Sequence, residues 1–201
     1  MRMAAEPPPE ILVFSMLHLY LSQTLGEAEI GAWTTQEERA VAAAFTPLRR
    51  AEWLSWRAVV RRELGSPSVR FVYDECGAPS IEGSTLHLAV SHCQGSIAVV
   101  LSDTPCAVDI ETLDRPFERL ASRYLSPAEA LLSDKPHWLA LVWCAKETLY
   151  KFAGRRGLDL LHDLRIEEAD FTAGTLVGSI CGGDPVVMQS LFLDSRVVVW
   201  I

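Results

Sequence analysis

Residues 107–111 read Ala-Val-Asp-Ile-Glu, an apolar run with acids at two alternate positions, and this pattern restricts the fold more than any other segment. Side chains alternate across a β-strand, so Val108 and Ile110 share one face while Asp109 and Glu111 share the other. Such a strand must bury one face and present two carboxylates on its reverse. A second segment, residues 143–151, reads Trp-Cys-Ala-Lys-Glu-Thr-Leu-Tyr-Lys. On a helix, Trp143, Glu147 and Lys151 follow one another at i+4 steps, with Lys146 beside them. Acids and lysines converging from a strand and a helix suit a divalent cation holding a phosphate ester.

The rest of the chain supplies a context for that pair. An apolar strand over 11–21 is followed by a capping box, Thr35 with Glu38, and by a helix that opens at Pro47 and ends before Gly65. Strands are predicted over 69–73, 85–90 and 96–101, with a turn at Asp74 to Pro79. The order then repeats. The strand over 106–111 precedes a short helix at Pro116, another at Ser126-Pro127-Ala128-Glu129, a long helix over about 136–152, and three more strands. No Pro/Gly/Ser-rich linker separates the parts. The expectation is an α+β fold: a pseudo-dimer of two similar halves, 1–103 and 104–201, each a small, mainly antiparallel sheet packed with helices. A site in the cleft between them would draw on both.

Composition narrows the function classes. The net charge of −8 argues against nucleic acid as a partner, because a phosphate backbone demands clustered Lys and Arg. Five cysteines with no Cys-x-x-Cys spacing form neither a zinc site nor a disulfide framework, and fit reduced thiols in the cytoplasm. The apolar stretch over 11–21 is too short to span a bilayer as a helix and lacks the cationic start of a signal peptide. No membrane association is expected.

Each candidate residue also has an ordinary reading. Paired acids on a strand serve solubility, and Glu147 with Lys151 could be a surface ion pair worth about 0.3–0.5 kcal/mol. The run Arg49, Arg50, Arg57, Arg61 and Arg62 reads as a solvated helix face. His92 ends a strand and is either a structural loop residue or a phosphate contact. Oxygen-only donors favour Mg2+ over zinc if a metal is held.

Taken together, Ser91-His92, Ala107-Val108-Asp109-Ile110-Glu111, Ser126-Pro127-Ala128-Glu129 and Trp143-Cys144-Ala145-Lys146-Glu147 with Lys151 resemble the 4′-phosphopantetheinyl transferase superfamily, in its longer monomeric branch of two halves per chain. The resemblance implies transfer of the phosphopantetheine arm of coenzyme A to a serine of an acyl or peptidyl carrier protein, with release of adenosine 3′,5′-bisphosphate. By position, Asp109, Glu111 and Glu147 would hold Mg2+. Lys146 and Lys151 would neutralise the pyrophosphate, and Ser91, His92, Arg50 and Arg57 would meet coenzyme A around its 3′-phosphate. Glu147 or a metal-bound water would take the serine proton, and a basic patch such as Arg155-Arg156 would face an acidic carrier. One departure stands out. The family's Gly-Lys-Pro turn is Gly77-Ala78-Pro79 here, which leaves the missing cation to another residue such as Arg70. That departure also raises an alternative: a degenerate relative that binds coenzyme A or a carrier without catalysis.

Overall fold

A computed structural model describes residues 16–201. The first strand, β1 (Leu17–Gln23), overlaps the expected one; the remainder of that expectation, 11–15, lies outside the described residues. Helices α1 (Glu27–Trp33), α2 (Gln36–Ala42) and α3 (Pro47–Glu63) follow, and then strands β2 (Phe71–Tyr73), β3 (Pro79–Ile81), β4 (His87–Cys93) and β5 (Ser96–Ser102). The second part runs β6 (Val108–Thr112), α4 (Pro127–Ala130), α5 (Trp138–Phe152), β7 (Leu164–Asp170), β8 (Thr175–Ile180), β9 (Val186–Leu193) and β10 (Arg196–Trp200).

Among the described residues all strand pairings are antiparallel. One sheet has the order β1-β5-β4, another β6-β10-β9-β8-β7, and β2-β3 form a hairpin of their own. Both larger sheets therefore set a first strand beside the last and the last beside the penultimate. In each, the long helix covers the last strand. Trp56, Val59 and Val60 of α3 pack with Ile97, Val99 and Leu101 of β5. Leu141, Ala145 and Leu149 of α5 pack with Val197 and Val199 of β10. The two sheets meet through a separate cluster, in which Ala89, Ala98 and Val100 touch Val108, Ile110 and Val198. The apolar face of the 107–111 segment is what joins them. Its acidic face is thereby turned towards α5.

Helix α1 opens the helical region after β1, starting at Gly26 without a side-chain cap. Two expectations need correction. Four strands, not three, follow α5. The segment after the 74–78 turn forms β3, whose three residues pair Pro79 with Tyr73 and Ile81 with Phe71. Among the described residues, no helix is long and apolar enough to cross a membrane.

The capping box at Thr35 and Glu38 is present, and Glu38 also serves the core. Its carboxylate takes two hydrogen bonds from Arg61, at 2.6 and 2.9 Å, and lies 3.4 Å from Arg57 Nε. Both arginines are only 2% exposed. Burial alone would raise the Glu38 pKa, but hydrogen bonds from Arg61 and the Thr35 N–H, with both guanidinium charges, hold it below the ordinary 4.5. Glu38→Gln should therefore cost about 3 kcal/mol at neutral pH, because it leaves two buried cations uncompensated. The wild-type contribution is fully present above the unfolded-state pKa and is lost as pH falls through the lower folded one. Urea denaturation at neutral and acid pH should show the deficit shrink with acidification. A constant deficit would contradict this.

Candidate functional site

Asp109 and Glu111 project from β6 towards α5, and Trp143, Glu147 and Lys151 project back from successive turns of α5. Together with residues of β4 and α3 they line a cavity of about 530 Å3. Its walls come from both parts of the chain: Arg49, Trp53, Trp56, Tyr73, Ser91 and His92 on one side, the acids and Lys151 on the other.

Lys151 is the hub. Its Nζ donates to Asp109 Oδ1 at 2.8 Å, to Ser91 Oγ at 3.0 Å and to the Val108 carbonyl at 3.0 Å. Ser91 in turn donates to Asp109 Oδ1 at 2.8 Å and accepts the Ile110 N–H at 3.3 Å. One oxygen of Asp109 is thus doubly satisfied. The other, Oδ2, is buried without a hydrogen-bond partner, a costly state for a carboxylate that is only 6% exposed.

The remaining acids are under strain of the same kind. Burial, and then the charge of Asp109, push the Glu147 carboxyl above its ordinary pKa. Glu111 is raised for the same two reasons, against Arg115, the Trp143 N–H and Lys151. Trp143 Nε1 donates to Glu111 Oε1 at 2.9 Å, whereas Glu147 has no hydrogen-bond or ion-pair partner among the described residues. A divalent cation beside Asp109 Oδ2 and Glu147 would offset the charge of both. Among the described residues no three His, Cys, Asp or Glu side chains stand together as a group that could hold a metal ion. An incomplete oxygen set is nonetheless what Mg2+ uses when it retains water and substrate oxygens. The orphaned Asp109 Oδ2 and the unpaired Glu147 therefore fit such an ion.

On the opposite wall His92 Nδ1 lies 3.0 Å from Glu52 Oε2, and Arg49 Nη1 contacts Nε2. Burial, followed by the Arg49 charge, lowers the His92 pKa despite Glu52. The imidazole is then neutral, with its proton on Nδ1 towards Glu52 and Nε2 accepting from Arg49. Arg49 is the cation of this wall, and it was not singled out from sequence. Its signal was available: Arg49, Trp53 and Trp56 fall at i, i+4 and i+7, one helix face.

Three expected ligands point elsewhere. Arg50 turns back to cap α2, donating to Ala42 O at 3.1 Å and Ala43 O at 2.9 Å. Arg57 is buried behind the cavity wall, its guanidinium 3.2 Å from the Trp53 ring centroid and hydrogen-bonded to Tyr73. Lys146 is fully buried, held by Glu129 at 2.7 and 2.9 Å, Tyr124 O at 2.6 Å and Leu160 O at 2.9 Å. Adjacent helical residues point about 100° apart, so Lys146 cannot share the direction of Glu147. Glu129 is a structural acid, capping Ser126 N at 2.8 Å and bonding Ile166 N at 2.8 Å.

A second cavity of about 410 Å3 adjoins the first, sharing Gly77, Pro79, Val90 and Lys151 with it. Ala78 lies on its rim, with Arg155 and Arg156 among its other lining residues. Arg156 donates to Glu75 O at 2.5 Å, across the junction of the two parts. Arg70 lines neither cavity; it is exposed and paired with Glu82 at 2.6 Å.

Residues 105–191 match the family described as the 4'-phosphopantetheinyl transferase superfamily. Two proteins named 4'-phosphopantetheinyl transferase AcpT, from Salmonella typhi and Salmonella typhimurium, are each 33% identical over 127 residues. These alignments cover 57% of this chain and 64% of each relative, so the chain spans just under two thirds of the curated relatives it matches. The matched region contains Asp109, Glu111, Glu147 and Lys151, the acids and the lysine of one cavity wall. Over this region the chain is similar to the 4'-phosphopantetheinyl transferase superfamily.

Proposed function

We propose that this protein transfers the 4′-phosphopantetheine arm of coenzyme A to a carrier-protein serine, in the cavity between its two parts. The observation that carries the reading is Lys151. It is a cation anchored to Asp109 and Ser91 at the meeting point of β4, β6 and α5, beside one carboxylate oxygen left unpartnered. The matching first-last-penultimate strand order and the matching placement of α3 and α5 support reading the chain as two similar halves, 1–103 and 104–201.

Asp109, Glu111 and Glu147 would hold Mg2+, which when bound neutralises charge on the pyrophosphate. The chain's own groups do the rest. Lys151 stays fixed at the floor and offsets the charge that develops on the departing adenosine 3′,5′-bisphosphate. Arg49, with neutral His92 as its acceptor, meets the 3′-phosphate, and Trp53 and Tyr73 offer aromatic surface to the base. Glu147 takes the proton as the serine oxygen bonds to phosphorus and the pyrophosphate bond breaks.

Chromatography of the released nucleotide tests this. Adenosine 3′,5′-bisphosphate should appear only when coenzyme A, Mg2+ and an apo carrier protein are all present. Release without a carrier would indicate a hydrolase instead.

Ala78 favours one second reading, a relative that binds without transferring. Arg155 and Arg156, across the adjoining cavity, are the groups placed to supply the missing charge. If Ala78 faces a coenzyme A phosphate, Ala78→Lys should tighten coenzyme A binding about tenfold, the effect of roughly 1.4 kcal/mol. Calorimetric titration reads this directly, and unchanged affinity would place the phosphate elsewhere.

A further inference from the structure

Of the three acids, Glu111 already has a cation on it. Arg115, four residues on, donates from Nη1 to Glu111 Oε1 at 2.7 Å. The same oxygen takes the Trp143 indole N–H at 2.9 Å. The Arg115 guanidinium carbon lies 4.6 Å from the centroid of the Trp143 ring and 5.6 Å from that of Phe117. A side chain 36% exposed is thus laid against two aromatic rings instead of reaching into water. Its charge pulls the Glu111 carboxyl down against burial and Asp109, the task a divalent cation would perform.

We propose that Arg115 is a built-in counter-ion that occupies Glu111 in the metal-free protein and is displaced when a divalent cation takes that carboxylate. This rests on the reading of Asp109, Glu111 and Glu147 as cation-holding acids. Two cations on one carboxylate group repel each other in a half-buried site. Binding the ion therefore breaks the Arg115–Glu111 bond, and the strength of that bond sets the cation affinity. Displacement has a further effect. Arg115 also lines a separate cavity with Phe117, Lys135 and His137, so its release transfers a positive charge from the metal side to that neighbouring surface.

The full-length chain without coenzyme A should be titrated with Mn2+, the free ion being followed by electron paramagnetic resonance. Arg115→Gln should bind Mn2+ about fivefold tighter than wild type, while Arg115→Lys, which keeps the charge, should stay near wild type. In the wild-type protein, Mg2+ should also move the Arg115 side-chain N–H resonance towards its solvent-exposed position. Equal or weaker Mn2+ binding by Arg115→Gln, or an unmoved resonance, would overturn the proposal and make Arg115 a residue that prepares Glu111 for metal. Absence of Mn2+ binding in both proteins at millimolar ion would remove the cation-holding reading along with it.

Discussion

Lys146→Met should destabilise the protein by about 3–5 kcal/mol while leaving the cavity intact. The lysine ammonium is fully buried, and burial lowers its pKa against the opposing charge of Glu129. It is held in place because every proton finds an acceptor: both Glu129 oxygens and the carbonyls of Tyr124 and Leu160. Removing it strands a carboxylate that is 2% exposed. Glu129 would keep the N–H groups of Ser126 and Ile166, which offset only part of an unpaired buried charge. In a chain of this size the melting temperature should fall by about 10 °C or more. The double variant Lys146→Met/Glu129→Gln should recover part of the loss, since the carboxamide carries no charge. Urea denaturation measures both. Coenzyme A affinity of the folded variant should match wild type. A stable variant with weakened affinity would return Lys146 to the cavity.

Lys151→Ala should have the opposite profile. Lys151 is 35% exposed and its bond to Asp109 is partly solvent-screened, so the stability loss should be about 1 kcal/mol or less. Transfer, by contrast, should fall about 10²–10³-fold, as when a pre-positioned donor to a developing anion is removed. The loss should appear in kcat, because the charge on the leaving group grows only in the transition state. Excess Mg2+ should not restore it. Asp109→Asn, which removes a metal ligand but keeps the hydrogen bonds at the floor, should be partly rescued by excess Mg2+. A Lys151→Ala enzyme with near-normal kcat would show that Lys151 is only a strut between β4, β6 and α5.

The contrast between these two lysines shows what could be read from the chain. Asp109 with Glu111, and Trp143 with Glu147 and Lys151, were legible because the spacings i+2 and i+4 fix direction on a strand and a helix whatever the tertiary context. Lys146 was grouped with Glu147 by proximity in sequence, and helical geometry turns it instead to Glu129. Arg50 and Arg57 are also placed away from the cavity: Arg50 turns back to α2, and Arg57 lies over the Trp53 and Trp56 rings behind the wall, while Arg49 reaches His92. Local capping was equally readable, with Thr35–Glu38 and Ser126–Glu129 forming reciprocal boxes within four residues.

Features made by distant pairing were not. Nothing near Leu17 announces that it lies opposite Ser102, and the strand orders follow from such contacts. The hairpin strand β3 was hidden by its length of three residues and its opening proline. The counter-ion role of Arg115 needs three elements at once, the end of β6, the loop after it and α5, and spacing alone shows only an i+4 pair. The sheet-to-sheet packing through Val108, Ile110 and Val198 lies between these cases. The alternation in 107–111 required a buried face, without naming its partner.

The most direct measurement is the intact mass of an apo carrier protein after incubation with this protein, coenzyme A and Mg2+. The account predicts a gain of one phosphopantetheine per carrier, absent when the carrier serine is replaced and strongly reduced with Lys151→Ala. An unchanged carrier mass across acyl and peptidyl carriers, from a protein that still binds coenzyme A, would contradict it.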